Sequence, residues 1–122
     1  MNKRILLVDD SEVFRKIVRT FLHSSGFEII EKENGQEALD YLLTGEKIHL
    51  VISDVNMPVM DGLTFVNRLR ELEDRRFVPV IMLTTVSEEE KIRRGREAGV
   101  KAWLIKPFSP EVLKEAVSKI LP

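Results

Sequence analysis

The chain has 122 residues, a formal net charge of −1, 32% charged and 43% hydrophobic residues, and no cysteine. These values are typical of one soluble globular domain, residues 1–122, and they exclude a disordered chain. A charge near zero gives no general attraction to nucleic acid or to anionic membranes, and a chain without cysteine has no disulfide or thiol chemistry. No apolar run approaches the roughly 18 residues of a membrane span, and the start of the chain predicts no signal peptide. A cytoplasmic location is therefore expected.

The first part of the chain predicts two strands and two helices. Residues 5–8 are a short apolar strand that stops at Asp9-Asp10-Ser11, and Asp10 or Ser11 can cap the helix that follows. Helical spacing predicts that its inner face consists of Val13, Phe14, Ile17, Val18, Phe21 and Leu22. Residues 28–32 are more polar, which is typical of an edge strand. Asn34 and Glu37 resemble a capping box for a second helix with the inner face Ala38, Leu39, Leu42 and Leu43.

The third strand leads into the first candidate functional residue. Residues 50–53 are typical of a parallel strand buried on both faces, and they run directly into Asp54 and the turn-forming segment Asn56-Met57-Pro58. Open α/β sheets bind ligands beside the carboxyl ends of their strands. Asp54 is therefore a candidate functional carboxylate, and an acid that merely opens the turn is the structural alternative. The helix that follows is expected to bury Leu63, Val66, Leu69 and Leu72.

The last part of the chain predicts two further strands and two further helices. Residues 78–83 form a strand that ends at Thr84-Thr85, and Ser87-Glu88-Glu89-Glu90 is a capping box for a fourth helix that has little to bury. Residues 102–105 form a strand that ends at Lys106-Pro107. Ser109 caps the last helix and Pro110 occupies its first position. Its predicted inner face is Val112, Leu113, Ala116, Val117, Ile120 and Leu121.

Five alternations of strand and helix predict an α/β fold with a doubly wound, five-stranded parallel sheet. In such a sheet the carboxyl ends of all strands lie on one edge, so Asp9, Asp10, Asp54, Thr84 and Lys106 are expected to converge. Each residue could instead have a purely structural role, as a helix cap, a turn-forming acid or hydroxyl, or a surface cation. Their joint placement favours a functional site.

Three carboxylates at close range repel one another, and this repulsion disfavours their ionised forms. Two unit charges ~5 Å apart repel by roughly 3 kcal/mol at an effective dielectric constant of 20. A hard divalent cation removes that cost, and ligands that are all oxygen indicate Mg²⁺. A carboxylate can also attack phosphorus and form an aspartyl-phosphate, for which Mg²⁺ and a lysine supply most of the charge neutralisation. The sequence therefore predicts phosphoryl transfer at this edge.

Over nearly its whole length the chain resembles a response-regulator receiver domain of the CheY-like type. The residues that carry the resemblance are Val8-Asp9-Asp10, the segment from Asp54 to Pro58 with Met60-Asp61-Gly62, Thr84, and Lys106-Pro107-Phe108. The resemblance implies the flavodoxin-like strand order 2-1-3-4-5, with Asp54 as the phosphoacceptor. It also implies that Mg²⁺ is bound by Asp10, Asp54 and the main-chain carbonyl of Asn56, with Asp9 helping through water.

The resemblance further implies how the signal is produced. Lys106 would contact the phosphoryl group, and the Lys106–Pro107 peptide bond would be cis. Thr84 would move its hydroxyl towards the phosphoryl group together with an aromatic ring at position 103. Two residues depart from the family pattern: Trp103 is larger than the usual Tyr or Phe, and Thr85 is larger than the residue common there and narrows access to the site.

The expected function is a phosphorylation-activated, chemotaxis-type signalling switch rather than an enzyme, one that catalyses only its own phosphorylation and slow dephosphorylation. Its expected partners are a histidine kinase and a target protein that binds the fourth helix, fifth strand and fifth helix, with no nucleic acid or membrane and with a monomeric chain. One alternative is an aspartate-nucleophile phosphatase acting on small phosphate esters, for which 122 residues leave little room for substrate selection. Another alternative is a receiver domain from a larger regulator. The position of Met1 and the end of the chain soon after the fifth helix make this alternative less favoured.

Overall fold

The computed structural model describes residues 2–85 and 89–122, in which five strands alternate with five helices. The strands are β1 (Arg4–Val8), β2 (Glu28–Lys32), β3 (Leu50–Asp54), β4 (Val80–Thr84) and β5 (Ala102–Ile105). The helices are α1 (Glu12–Ser24), α2 (Gly35–Leu42), α3 (Gly62–Glu71), α4 (Glu89–Glu97) and α5 (Pro110–Ile120). A short 3-10 turn, Glu73–Arg75, lies between α3 and β4.

The strands form one parallel sheet in the order β2-β1-β3-β4-β5. The polar strand β2 lies at an edge, where one side of its backbone faces away from the sheet. The more apolar strands β1, β3 and β4 lie in the middle, as expected for strands that helices cover on both faces. The predicted fold class and strand order are therefore confirmed.

The side chains of the central strands alternate between two cores, one on each face of the sheet. Ile5 and Leu7 of β1 pack with Val18 and Leu22 of α1 and with α5, whereas Leu6 and Val8 pack with α2 and α3. Helices therefore cover both faces, which makes the sheet doubly wound and leaves its carboxyl edge open for a site.

Four apolar residues that periodicity placed inside are exposed. The exposed fractions are 71% for Val13, 47% for Ile17, 69% for Leu43 and 44% for Val112. In α1 the residues Val18 and Leu22 are buried against the core and Phe14 packs partly against it, whereas Val13 and Ile17 lie beyond the contact. The prediction was wrong for these residues because spacing identifies a helix face but not how far its neighbours cover it.

The second half of the chain departs from prediction at element boundaries. Strand β4 begins at Val80 rather than at residue 78, because the N–H of Val78 bonds back to Arg75 in the 3-10 turn. The predicted Ser87-Glu88-Glu89-Glu90 capping box lies partly outside the described residues. In the described length of α4 only Gly95 is buried, in agreement with the weak packing predicted for that helix.

Within the described residues, no helix is both long enough and apolar enough to span a membrane.

Candidate functional site at the carboxyl edge of the sheet

The structure brings together the polar residues at the ends of four strands. Asp9 follows β1, Asp54 is the last residue of β3, Thr84 is the last residue of β4, and Lys106 follows β5. The parallel register pairs Asp54 with Leu83 and Thr84 with Ile105, so neighbouring strands end nearly level. The predicted convergence at one edge is therefore present.

Asp54 is held rigidly at the end of β3. Its Oδ1 accepts a hydrogen bond of 2.9 Å from the N–H of Val55, and the Ser53 hydroxyl donates to its main-chain carbonyl at 2.9 Å. The start of α3 packs against the same carbonyl: a Cβ on Gly62 would lie 2.1 Å from it. Only glycine fits at position 62, and Asp61 before it caps α3 by accepting the N–H of Thr64 at 2.8 Å.

Asp9 and Asp10 are neighbours in sequence but differ in environment. Asp9 is fully buried, its Oδ1 accepts the N–H of Ser11 at 2.8 Å, and its main-chain carbonyl accepts from the Arg15 guanidinium. Asp10 is exposed. Of the two predicted caps for α1 it is Ser11 that acts, since its hydroxyl accepts the N–H of Phe14 at 3.2 Å.

Carboxylate oxygens of Asp9, Asp10 and Asp54 all lie within 4.8 Å of one another. A set of ligands consisting only of oxygen, close together and partly open to water, fits Mg²⁺, which takes few protein carboxylates and keeps several waters. Asn56 lies in the loop directly after β3, is exposed, and accepts a hydrogen bond of 3.3 Å from Lys91 of α4 on its side-chain oxygen. The donor set therefore suits the ion that the sequence predicted.

Lys106 contributes the cation of the site. Its Nζ lies 2.8 Å from Asp9 Oδ2 and 3.6 Å from Asp54 Oδ2, and its side chain is only 14% exposed. The Lys106–Pro107 peptide bond that follows is cis. The ammonium therefore lies close to both buried carboxylates, nearer to Asp9 than to Asp54.

Burial raises the pKa of the Asp54 carboxyl above its ordinary value, and the negative charges of Asp9 and Asp10 raise it further. The Lys106 ammonium acts in the opposite direction and lowers that pKa. Ionised Asp54 is therefore costly in the metal-free protein, and added positive charge would stabilise the form that can act as a nucleophile.

The two predicted switch residues on β4 and β5 lie on adjacent strands. Thr84 is buried, Thr85 is exposed, and the main-chain carbonyl of Thr84 accepts the N–H of Lys106 at 2.6 Å. Trp103 is half-buried, and its indole packs on α4 where a Cβ on Gly95 would lie 2.5 Å from the ring. The indole N–H is buried and meets no hydrogen-bond acceptor among the described residues.

One neighbour of the site, Phe14, was not predicted from the sequence. Periodicity placed Phe14 on the inner face of α1, but its ring lies over the Lys106 ammonium, 4.0 Å from Nζ to the ring centroid. Lys106 belongs to a different element far along the chain, so no local spacing relates it to Phe14. The only local indication is that Phe14 lies in the first turn of α1, a few residues after Asp9 and Asp10, and is therefore near the acidic edge.

The chain matches known proteins over nearly its whole length. The family model for the response regulator receiver domain matches residues 5–118. A chemotaxis protein CheY homolog of Campylobacter jejuni is 37% identical over 119 residues, which cover 97% of this chain and 92% of the relative. Chemotaxis protein CheY1 of Helicobacter pylori is 38% identical over 121 residues, which cover 97% of this chain and 96% of the relative.

The same relationship extends to a solved structure. Chemotaxis protein CheY4 of Vibrio cholerae superposes with a TM-score of 0.92 at 38% sequence identity, and the match covers 98% of this chain and 99% of that chain.

Proposed function

Because the chain belongs to the response regulator receiver family, it is a phosphorylation-activated switch of two-component signalling, and we propose that Asp54 accepts the phosphoryl group. The observation that carries this proposal is the position of Asp54. Its carboxylate ends the central strand β3, lies with Asp9 and Asp10 in a compact oxygen cluster, and is 3.6 Å from the Lys106 ammonium.

The reaction that suits this geometry is the transfer of a phosphoryl group from a histidine kinase. A carboxylate oxygen of Asp54 forms the new bond to phosphorus, and the imidazole nitrogen of the donor histidine leaves with the electron pair of the old one. Lys106 faces the oxygens of the transferred group. Asp9, Asp10, Asp54 and the main-chain carbonyl of Asn56 would hold Mg²⁺, which when bound supplies positive charge against the charge of the phosphoryl oxygens.

The proposed signal leaves Asp54 through β4 and β5. A phosphoryl group adds a charge of about −1.5 to −2 and three acceptor oxygens. The Thr84 hydroxyl would turn towards these oxygens, Thr85 would limit access to them, and Trp103 would respond to the movement. The surface of α4, β5 and α5 would then bind the target protein, and the few buried residues of α4 support this choice because low burial allows local movement.

We place this switch in a chemotaxis-type pathway, as a monomer that binds neither nucleic acid nor membrane. The support is that relatives named as chemotaxis proteins match this chain over 92% or more of their own length. The same coverage supports the proposal that residues 1–122 form one receiver domain. The cytoplasmic location expected from the sequence stays a prediction.

The proposal is tested with acetyl phosphate as a small phosphoryl donor. With Mg²⁺, the protein should gain the mass of one phosphoryl group, release it slowly, and gain none after the metal is chelated. A small-molecule phosphatase would instead hydrolyse a large excess of phosphate ester and accumulate little phosphoprotein. Many rapid turnovers per chain would contradict a switch, and phosphorylation that is unaffected by chelation would contradict the metal site.

A further inference from the structure

Among the described residues, the Lys106 ammonium lies close to two carboxylates and to one aromatic ring. They are Asp9 Oδ2 at 2.8 Å, Asp54 Oδ2 at 3.6 Å, and the ring of Phe14, whose centroid lies 4.0 Å from Nζ. An ammonium within about 6 Å of a ring face is attracted by the ring quadrupole, and more strongly where water is excluded. Here the lysine side chain is 14% exposed, so this contact is largely shielded from solvent.

The ring is itself held in place from two sides. Phe14 belongs to the first turn of α1, which the Ser11 cap fixes. Its ring meets that of Phe108, two residues after Lys106, at 5.9 Å between centroids and an interplanar angle of 90°. Such edge-to-face pairs are a favoured arrangement of aromatic rings. The ring is therefore anchored both to the helix and to the segment that carries the lysine.

We propose that Phe14 is a positioning residue for Lys106: its ring face holds the ammonium where it meets a phosphoryl group on Asp54. This inference rests on the proposed function. A free lysine side chain loses rotamer entropy when it is fixed, so additional attractions are needed to hold it in one place. Asp9, the nearer carboxylate, draws the ammonium away from Asp54. The ring supplies a third attraction, so the ammonium stays within reach of both carboxylates before phosphorylation occurs.

The simpler explanation is that Phe14 only packs against Phe108. The two explanations differ in what position 14 requires. The positioning role requires an aromatic ring, whereas simple packing requires only an apolar side chain of similar volume. Phe14→Leu keeps apolar volume and removes the ring, whereas Phe14→Tyr keeps the ring. Phe108→Leu removes the packing partner but not the ring over the lysine, and Phe21→Leu removes a half-buried aromatic from the same helix about two turns away.

The first measurement concerns the resting protein and needs no phosphoryl group. The ring current of Phe14 should shift the NMR signals of the Lys106 Cε protons upfield in the metal-free wild type. Phe14→Tyr and Phe21→Leu should keep that shift, and Phe14→Leu should lose it. Unshifted Cε protons in the wild type, or a full shift in Phe14→Leu, would overturn the proposed contact.

The second measurement is the calorimetric affinity for beryllofluoride, a phosphoryl mimic, at saturating Mg²⁺. Phe14→Leu should bind it about three- to tenfold more weakly than the wild type, as expected for the loss of one shielded cation–π contact. Phe14→Tyr and Phe21→Leu should stay within about twofold of the wild type. Phe108→Leu should lose less affinity than Phe14→Leu, because the ring over the lysine remains and only one of its two anchors is removed. In all variants the Mg²⁺ affinity should change by less than about twofold, because the ring faces the lysine and not the carboxylate cluster.

Three results would overturn the inference: wild-type beryllofluoride affinity in Phe14→Leu, an equal loss in Phe14→Tyr, or an equal loss of Mg²⁺ affinity. The proposed function fails in a different way. A wild-type protein that binds no beryllofluoride would overturn both the function and the positioning role, whereas wild-type affinity in Phe14→Leu would overturn the positioning role alone.

Discussion

At the scale of single residues, the charges of the site are arranged so that each buried one has a partner. Asp9 has no exposed surface, and the Lys106 ammonium at 2.8 Å is its counter-ion. Removing one partner of a buried pair leaves the other charge unpaired in a medium of low dielectric constant, which costs more than the pair itself contributes. Lys106 therefore stabilises the fold, in addition to its proposed contact with the phosphoryl group.

Lys106→Ala should consequently lower the free energy of unfolding of the metal-free protein by about 3 kcal/mol, because Asp9 is left buried and unpaired. Mg²⁺ should restore more stability to this variant than it adds to the wild type, since the ion replaces the missing positive charge. Binding of beryllofluoride or of the target after phosphorylation should be impaired. Urea unfolding with and without Mg²⁺ measures the first two effects, and an unchanged metal-free stability would contradict them.

A second residue-scale prediction concerns pH and lies away from the site. The Nδ1 atom of His49 accepts the main-chain N–H of Arg4 at 3.0 Å, and burial, followed by the charges of Lys3 and Lys47, lowers the pKa of the imidazole. The folded state therefore binds this proton less readily than the unfolded state. The resulting stability is present above the ordinary histidine pKa of about 6.5 and is lost as the pH falls through the lowered value.

His49→Asn offers a matched comparison, because the asparagine Oδ1 can accept the same N–H but does not titrate. Between pH 7.5 and 5.5 the wild type should lose more of its free energy of unfolding than His49→Asn, as measured by urea titration at each pH. Parallel losses in the two proteins would show that His49 contributes nothing to the pH dependence.

At the scale of elements, α4 and β5 approach each other closely at Gly95 and Trp103. The Trp103 ring occupies the space beside Gly95, where an added Cβ would lie 2.5 Å from the ring. A large ring at this position therefore requires a residue without a side chain on the facing helix. Helix α4, which is proposed to transmit the signal, is therefore matched in shape to Trp103, which is proposed to respond to it.

Gly95→Ala should therefore destabilise the protein by about 1–3 kcal/mol through overpacking, although alanine favours helix. In a Trp103→Phe background the smaller ring leaves room, and the same substitution should be neutral or stabilising. The coupling energy from the double-mutant cycle, measured by thermal or urea unfolding, should be at least about 1 kcal/mol. Additive effects would contradict the shape match.

The elements also show which features the sequence determines locally. The apolar runs and turn residues place β5 at Ala102–Ile105 and the start of α5 after Ser109, as predicted, because strand ends and caps depend on neighbouring residues. The meeting of Asp9, Asp54 and Lys106 follows from parallel strands alone. The exposure of Val13 and the contact of Phe14 with Lys106 could not be predicted, since both depend on which distant element covers α1.

At the scale of the whole molecule, the proposed metal site would link Mg²⁺ binding to the stability of the fold. Mg²⁺ that binds only the folded state at about 100 times its dissociation constant adds roughly 2.7 kcal/mol to the free energy of unfolding. Asp10→Ala should reduce this gain. The metal-free variant should nevertheless be as stable as the wild type or more stable, because Asp10 is exposed, Ser11 caps α1, and one repelling charge is gone. Urea unfolding decides this: a clear metal-free loss would mean that Asp10 supports the fold directly.

The central claim is that Asp54 is the phosphoacceptor, and the most direct test is the intact mass of Asp54→Asn after incubation with acetyl phosphate and Mg²⁺. The wild type should gain one acid-labile phosphoryl group. The variant should gain none while remaining folded, because an amide is a far poorer nucleophile and the substitution removes a carboxylate whose pKa burial has raised. A gain of one phosphoryl group by Asp54→Asn at the wild-type rate would contradict the account and place the acceptor on another residue.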